Sequence, residues 1–324
     1  MTVNDAPNHR PVRIAGVEMG GTKCVCLLGS GPDAIEEVVR IPTTQPAQTL
    51  AAIEDVLTNW REDGPGFDAI GVAAFGPLDL DPQSASYGSI TTTSKHGWRD
   101  TPVAPRLAAK FDVPVGFTTD TIGAALAEGR WGAAVGLRDY VYITVGTGVG
   151  AGIVVNGRPA LGLSHPELGH LRIPRLTGDD WPGSCPYHGD CVEGLASGSA
   201  IEARLGYQGA EVDADHPVWD GVAHALAMML HAVVLTVMPQ RIIMGGSVML
   251  GQRHLYARVT KNCGSVWLAT SRRRQLPTDW IAASRRRALA IWPGRSAPSL
   301  SRSRRYAREG PERWRFLTLF LIGV

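Results

Sequence analysis

The sequence has no long uninterrupted run of apolar residues, and none of its apolar stretches approaches the roughly 20 residues that span a bilayer. Its first residues, which include Asn4, Asp5, Pro7 and Asn8, lack the apolar segment of an export signal. Charged residues make up only 19% and hydrophobic residues 44% of the 324 positions, which excludes a wholly disordered chain. We therefore expect a cytoplasmic protein with a sizeable core and no membrane partner.

Cysteine is also scarce, and the odd count of five does not fit a disulfide framework. Cys24 and Cys26 alternate along one predicted strand, and we expect them on opposite faces of it. Cys185 and Cys191 instead flank His188 in a C-x-x-H-x-x-C pattern, which is typical of a metal-binding loop.

His170 adds a second imidazole to this loop, so that His170, Cys185, His188 and Cys191 form a complete set of zinc ligands. Four protein ligands leave no open coordination position, and such a zinc ion would be structural. The alternative is a pair of free thiols beside two hydrogen-bonded histidines. We favour zinc, because a closed set of suitable ligands seldom arises by accident.

Two glycine turns interrupt predicted strands. The first, Gly20-Gly21-Thr22-Lys23, is followed by a strand and lacks the order G-x-x-x-x-G-K-[ST], so it is not a P-loop. The second, from Thr144 to Gly152, carries four alternating glycines, which weaken a strand and allow a ligand to approach the backbone. This repetition predicts two similar α/β lobes whose turns bind one polyphosphate, although a turn without a ligand remains the alternative for the first.

Asp120 lies between a predicted strand at 115–118 and a predicted helix at 121–131. A carboxylate in this place suits a general base, which accepts a hydroxyl proton during phosphoryl transfer. It suits a helix N-cap equally well. Both roles stay open at this point.

Seven segments together resemble the ROK family of sugar kinases, above all its fructokinase branch. The segments are GVEMGGTK (16–23), residues 75–98, TTDTIGAALAEGRWG (118–132), TVGTGVGAG (144–152), HPELGH (165–170), CPYHGDCVEGLASG (185–198) and IIMGGSVM (242–249). The resemblance covers about residues 12–258. It implies an α/β, two-lobed, actin-like (ribonuclease-H-like) ATPase fold with a zinc-binding loop, divided into lobes at 1–119 and 120–259.

The resemblance also implies a function, namely ATP-dependent phosphorylation of D-fructose to fructose 6-phosphate. Asp120 matches the catalytic base of the family. Residues implied to bind the hexose are Glu167, His170, Glu193 and Lys95, and those implied to bind ATP are Gly20, Gly21, Thr22, Lys23, Thr144, Gly146, Thr147, Gly148, Gly245 and Gly246. The implied cofactors are ATP, Mg²⁺ between the phosphates and a structural Zn²⁺, and a homodimer is common in the family.

The sequence departs from the family pattern at Ile122, Thr118, Glu18 and Ser247, of which Ile122 and Thr118 put one hexose contact in doubt. Two alternatives to fructose phosphorylation stay open. One is a kinase of glucose, mannose or N-acetylmannosamine. The other is a sugar-sensing regulator, but regulators of this family carry a DNA-binding motif ahead of the first hairpin, where only about a dozen residues stand here.

Residues 260–324 form an atypical tail in which 14 basic residues outweigh three acidic ones. A nucleic-acid arm is the obvious functional interpretation, but four of the nine tryptophans fall in this tail. When GC-rich synonymous codons are chosen for residues 289–302, a neighbouring frame can encode GDLAGALGAIALA, which resembles the helix that closes ROK kinases. We therefore predict a frameshift near residue 260 and no nucleic-acid partner. We also expect this chain to fold or to bind ATP less well than an intact member of the family.

Overall fold

The computed structural model describes residues 11–270 and 280–284, without the side chains of 264–270. The described chain forms two compact units, with the boundary between Thr118 and Thr119. Most of the predicted atypical tail, including its arginine clusters, lies outside the described residues.

The first unit is built on a five-stranded sheet in the order β3-β2-β1-β4-β7. Its strands are β1 (Ile14–Met19), β2 (Lys23–Gly29), β3 (Ile35–Pro42), β4 (Ala69–Ala74) and β7 (Val115–Thr119), and a separate pair is β5 (Ser89–Ile90) with β6 (Thr101–Pro102). Strands β1, β2 and β3 pair antiparallel, while β4 runs parallel to β1. The helices α1 (Pro46–Glu62) and α2 (Ala104–Phe111) bury Leu50, Ile53 and Leu107 in the core.

Cys24 and Cys26 both lie in this core, on the same face of β2. The expectation that they point to opposite faces is wrong, because residues two apart along a strand share a face. Both thiols are fully buried, and burial raises the pKa of each.

The second unit is built on a sheet in the order β10-β9-β8-β11-β12. Its strands are β8 (Tyr140–Val145), β9 (Val149–Val155), β10 (Arg158–Pro159), β11 (Arg241–Gly245) and β12 (Ile281–Ala283). Its helices are α3 (Asp120–Trp131), α4 (Val192–Ala196), α5 (Gly198–Leu205), α6 (Val218–Val237), α7 (Ser247–Gly251) and α8 (His254–Thr270). Strands β8 and β9 form an antiparallel hairpin, and β11 runs parallel to both β8 and β12.

Ser197 divides what the sequence predicts as one helix over 193–205. Its backbone is extended (φ −71°, ψ 160°), so α4 ends there and α5 begins. The Ser197 hydroxyl accepts the N–H of Ala200 at 3.0 Å and caps α5. The break exposes the first N–H groups of α5, which become important for the site.

Among the described helices, α6 is long and apolar enough to cross a membrane by length and composition alone. Its apolar face, including Val222, Leu226 and Leu230, is buried in the core of the second unit. Helix α6 packs against α4 and α8. Its composition is therefore explained by its place in the core.

Strand β12 belongs to the predicted atypical tail but is built into the sheet. Ile281 pairs with Ile242, and Trp280 is buried with its Nε1–H donating to the carbonyl of Pro239 at 3.0 Å. The Ser284 hydroxyl donates to the buried carboxylate of Glu128 at 2.5 Å. Residues 280–284 therefore complete the second unit.

Candidate active site

Asp120 is the first residue of α3, but it does not cap that helix. The cap is Thr119, whose hydroxyl accepts the N–H of Ile122 at 3.1 Å. Asp120 Oδ1 accepts the adjacent N–H of Thr121 at 2.8 Å, which orients the carboxylate. The sequence leaves open whether Asp120 caps α3 or serves as a general base. The structure assigns the cap to Thr119.

The surroundings of Asp120 change its acidity. Burial raises the pKa of Asp120 to about 6, even though hydrogen bonds from Thr121 and from its own N–H lower it. Asp120 is nevertheless exposed to solvent. The burial that raises its pKa therefore comes from protein packed near the carboxylate, which does not enclose it completely. The carboxylate is mostly ionised at neutral pH, with an affinity for protons well above that of an ordinary aspartate.

Glu167 directly precedes a short 3₁₀ turn, Leu168–His170, and His170 is the last residue of that turn. Burial raises the pKa of Glu167, His170 lowers it, and the charges of Glu193 and Asp120 raise it again. The charges of Asp120, His170 and Glu193 thus all act on the Glu167 carboxyl, which is consistent with one neighbourhood in the second unit. Of the predicted hexose ligands, Glu167, His170 and Glu193 are thus brought together with Asp120.

Gly169 explains why a glycine stands between Glu167 and His170. A Cβ at this position would lie 1.9 Å from the carbonyl oxygen of Val149, so the turn packs directly on the start of β9. His165 Nδ1 lies 3.3 Å from Glu167 Oε1, and burial lowers the pKa of His165. The segment 165–170 is thereby held against the second glycine turn.

The four predicted metal ligands form one cluster. One ligand atom from each of His170, Cys185, His188 and Cys191 lies within 4.8 Å of the other three. His170 Nδ1 is 3.7 Å from both sulfurs, and His188 Nδ1 is 3.7 Å from Cys185 Sγ. Zinc bonds of about 2.3 Å to sulfur and about 2.0 Å to nitrogen give a tetrahedral edge of roughly 3.6 Å, so the cluster fits this ion.

Backbone hydrogen bonds shape the loop that carries these ligands. The N–H and C=O of Cys185 pair with those of Gly189 at 3.2 and 2.9 Å, and the Val192 N–H donates to Leu171 O at 3.1 Å. Burial, together with the nearby Cys185 thiol, raises the pKa of Cys191 to about 11. A cation bound here would therefore have to displace a proton at neutral pH.

The second glycine turn, residues 146–148, joins β8 to β9 and is held through its carbonyl groups. Gly146 O accepts the N–H of Gly198 at 2.7 Å, and Thr147 O accepts the N–H of Ser199 at 3.4 Å. Among the described residues, the amides of Thr147 and Gly148 donate no backbone hydrogen bond. Such outward N–H groups can bind an anion.

The first glycine turn, in the other unit, has the same organisation. Gly20 O accepts the Thr43 hydroxyl at 2.7 Å, and Thr22 O accepts the Thr43 N–H at 3.0 Å. The Lys95 ammonium donates to Gly21 O, so the structure places Lys95 beside this turn. The amides of Gly21 and Thr22 donate no backbone hydrogen bond within the described chain, which again leaves N–H groups for an anion.

Gly245 is the last residue of β11 and Gly246 follows it, and neither position has room for a side chain. Gly246 has φ +92°, and a Cβ there would lie 2.3 Å from the carbonyl oxygen of Val145. A Cβ at Gly245 would lie 2.6 Å from the Tyr142 hydroxyl. Ile122, one of the departures from the family pattern, is buried with 2% of its surface exposed.

Comparison with known proteins identifies the family of the chain. The ROK family pattern matches residues 14–288. This chain belongs to the ROK family. It is 39% identical to the fructokinase of Pediococcus pentosaceus over 246 residues, which are 76% of this chain and 83% of that protein. It is 40% identical to the fructokinase of Zymomonas mobilis over 240 residues, 72% and 79% of the two chains.

Solved structures of the ROK family share the fold. A ROK glucokinase from Streptomyces griseus, solved with glucose and AMPPNP, is 21% identical, has a TM-score of 0.69, and aligns over 96% of this chain and 99% of its own. The predicted actin-like α/β fold and the resemblance to the fructokinase branch are thus confirmed. The ROK match continues past Val259, where the sequence resemblance was expected to end, and reaches residue 288.

Sequence reasoning missed the residues that support the ROK site without being ligands themselves. Thr119 caps α3, Thr43 holds the first turn, and His165 contacts Glu167. His165 stands within the segment HPELGH, so its place in that motif was an available signal. Thr43 lies far from its turn in sequence and carries no local signal of its role.

Proposed function

We propose that this chain transfers the γ-phosphoryl group of ATP to the 6-hydroxyl of D-fructose, with Asp120 as the general base. The observation that carries this proposal is the place of Asp120, which opens α3 without capping it and interacts electrostatically with Glu167. The names of the fructokinases at 39% and 40% identity support fructose as the hexose. The AMPPNP bound to the Streptomyces griseus glucokinase supports ATP as the donor.

In this mechanism, Asp120 accepts the proton of the 6-hydroxyl while the hydroxyl oxygen attacks the γ-phosphorus atom. The bond between that phosphorus and the β,γ-bridging oxygen breaks, and ADP and fructose 6-phosphate form. Asp120 then returns its proton to solvent. A positioned general base contributes about 10²- to 10⁴-fold to such a step, and a pKa of about 6 keeps Asp120 ready to accept a proton at neutral pH.

Glu167, His170 and Glu193 would hold the hexose through its other hydroxyl groups. The turns at 20–23 and 144–148 would bind the phosphates of ATP through their backbone N–H groups, and Gly245 and Gly246 would adjoin the adenosine. Mg²⁺, when bound, neutralises charge on the phosphates. Lys95 donates to Gly21 O, so we assign it to support of the first turn in addition to the hexose contact that the resemblance implies.

We also propose that His170, Cys185, His188 and Cys191 hold a structural Zn²⁺, which supplies a cross-link between the 3₁₀ turn and the C-x-x-H-x-x-C loop. His170 Nδ1 faces both sulfurs. The proton of a neutral His170 would then be on Nε2, which can donate to a hexose hydroxyl. The metal would thus fix the orientation of a hexose ligand without taking part in the reaction.

The test is a coupled assay of ADP release by the full chain with fructose, glucose, mannose and N-acetylmannosamine. We expect fructose to give the highest kcat/KM. A higher value for another hexose would overturn the substrate assignment. ADP release no faster than without sugar for all four hexoses, including from a chain whose reading frame after Ser284 has been restored, would overturn the kinase proposal itself.

A further inference from the structure

Glu193 contacts the second glycine turn directly. Its Oε2 accepts the N–H of Val149 at 3.0 Å, at the point where the turn ends and β9 begins. Gly148 fits closely against the same carboxylate, because a Cβ there would lie 2.6 Å from Glu193 Oε2. An N–H bonded to an ionised carboxylate forms a stronger hydrogen bond than two neutral partners do. Glu193 therefore fixes one end of the turn.

The residues after Glu193 hold the rest of the turn. The N–H groups of Gly198 and Ser199 donate to the carbonyls of Gly146 and Thr147. They are available because the first N–H groups of a helix have no partner within it, and α5 begins at the break after Ser197. Gly198 itself leaves no spare room, since a Cβ there would lie 2.9 Å from Gly146 O. The segment 193–199 thus binds the turn at three successive points.

This segment holds the turn from its carbonyl side and at Val149, so the N–H groups of Thr147 and Gly148 keep one fixed direction. A fixed array of N–H groups binds an anion better than a mobile one, because less ordering is needed on binding. The charge of Glu193 also raises the pKa of the Glu167 carboxyl, another of the proposed hexose ligands. The Glu193 side chain therefore acts both on the glycine turn and on a proposed hexose ligand.

We propose that Glu193 is a positioning residue for the nucleotide, which keeps residues 146–148 in the shape that binds phosphate whether or not a hexose is present. The proposal rests on the proposed function, in which this turn binds ATP. It assigns Glu193 a role in addition to its proposed contact with the hexose. The required property of residue 193 is a hydrogen-bond acceptor for Val149.

The test is calorimetric titration of the full chain with AMPPNP and Mg²⁺ in the absence of sugar. Glu193→Ala removes the acceptor, whereas Glu193→Gln keeps an acceptor of the same length. Glu202→Gln, an exposed residue of α5, is the matched control. Gly198→Ala disturbs the same turn through a different contact, and it decides the question if Glu193→Ala does not fold.

We expect the AMPPNP Kd to rise roughly tenfold in Glu193→Ala and by a similar factor in Gly198→Ala. Glu193→Gln should bind as tightly as the parent or more tightly, because it keeps the acceptor and loses a negative charge near phosphate. In turnover, Glu193→Gln should raise the KM for fructose without raising the KM for ATP. Glu202→Gln should change neither.

Several results would overturn the proposal. One is parental AMPPNP affinity in both Glu193→Ala and Gly198→Ala, and another is equal weakening in Glu193→Ala and Glu193→Gln. Failure of the parent chain to bind AMPPNP, if it persists after the reading frame beyond Ser284 is restored, would also overturn it. The titration contains no sugar and does not depend on which hexose is phosphorylated. If the AMPPNP affinities are as expected but fructose is not phosphorylated, the result counts against the proposed function and not against the role of Glu193.

Discussion

The hydroxyl of Thr119 accepts the N–H of Ile122 at 3.1 Å and so caps α3 immediately before Asp120. Two adjacent residues therefore divide two tasks at one helix end. Thr119 stabilises the helix, and the carboxylate of Asp120 is left for another use. This division makes the two side chains separable by mutation.

Asp120→Asn should lower kcat by about 10²-fold or more, because the amide accepts no proton from the hexose. The melting temperature should stay close to that of the parent, since the cap at Thr119 is intact. Steady-state kinetics and thermal unfolding measure the two effects. Parental kcat in Asp120→Asn would contradict the assignment of the base.

Thr119→Ala should show the reverse pattern. Loss of an N-cap hydroxyl costs about 1 kcal/mol of folding stability, so the free energy of unfolding should fall while most of kcat remains. Thr119→Ser keeps the acceptor and is the matched control. Denaturant unfolding of the three proteins is the measurement, and equal stability of Thr119→Ala and the parent would contradict the capping role.

The pH dependence of kcat/KM should report the raised pKa of Asp120. The ionised carboxylate is the active form and its pKa is about 6, so kcat/KM should rise with pH up to about 6 and level off above it. Below the break, the slope should be about tenfold per pH unit. A break near pH 4, the ordinary range of an aspartate, would show that the surroundings of Asp120 do not raise its pKa in solution.

Metal content should follow the cluster around His170. We expect about one zinc ion per chain, loss of that ion in His188→Ala and a lower melting temperature of the metal-free protein. His96→Ala, at an exposed residue outside the cluster, should keep the ion. Elemental analysis of purified protein is the measurement, and a parent without zinc would contradict the site.

The position of the predicted frameshift can be sharpened. Residues 280–284 pair in register with β11, and the ROK match runs to residue 288. These observations move the predicted change of frame from near residue 260 to beyond Ser284. The nucleotide sequence after that codon should encode a glycine- and alanine-rich helix in a neighbouring frame, and its absence from both other frames would contradict the prediction.

The sequence alone reveals the parts of the site whose residues are close together in the chain. The C-x-x-H-x-x-C loop and the alternating glycines from Thr144 to Gly152 each follow from local spacing and local chemistry. The same holds for most helices and strands, because their apolar periodicity is local. The break at Ser197 escaped prediction, because nothing in the apolar periodicity of 193–205 marks it.

Contacts between distant segments could not be predicted in this way. Lys95 reaches Gly21 across 74 positions, and Glu193 reaches Val149 across 44. A lysine or glutamate offers many partners, and only the folded chain selects one. The proposed hexose ligands illustrate the limit, since their residue types suit hydroxyl binding but do not reveal that Glu193 also contacts the second glycine turn.

Strand β12 has one more consequence for handling the protein. It is three residues long, and it alone pairs with the outer side of β11 within the described sheet. A version cut before Trp280 would leave β11, with its run of Ile242, Ile243 and Met244, as an open sheet edge. Such edges recruit strands from other molecules, so C-terminal trimming aimed at removing the arginine clusters should spare Ser284 to avoid aggregation during purification.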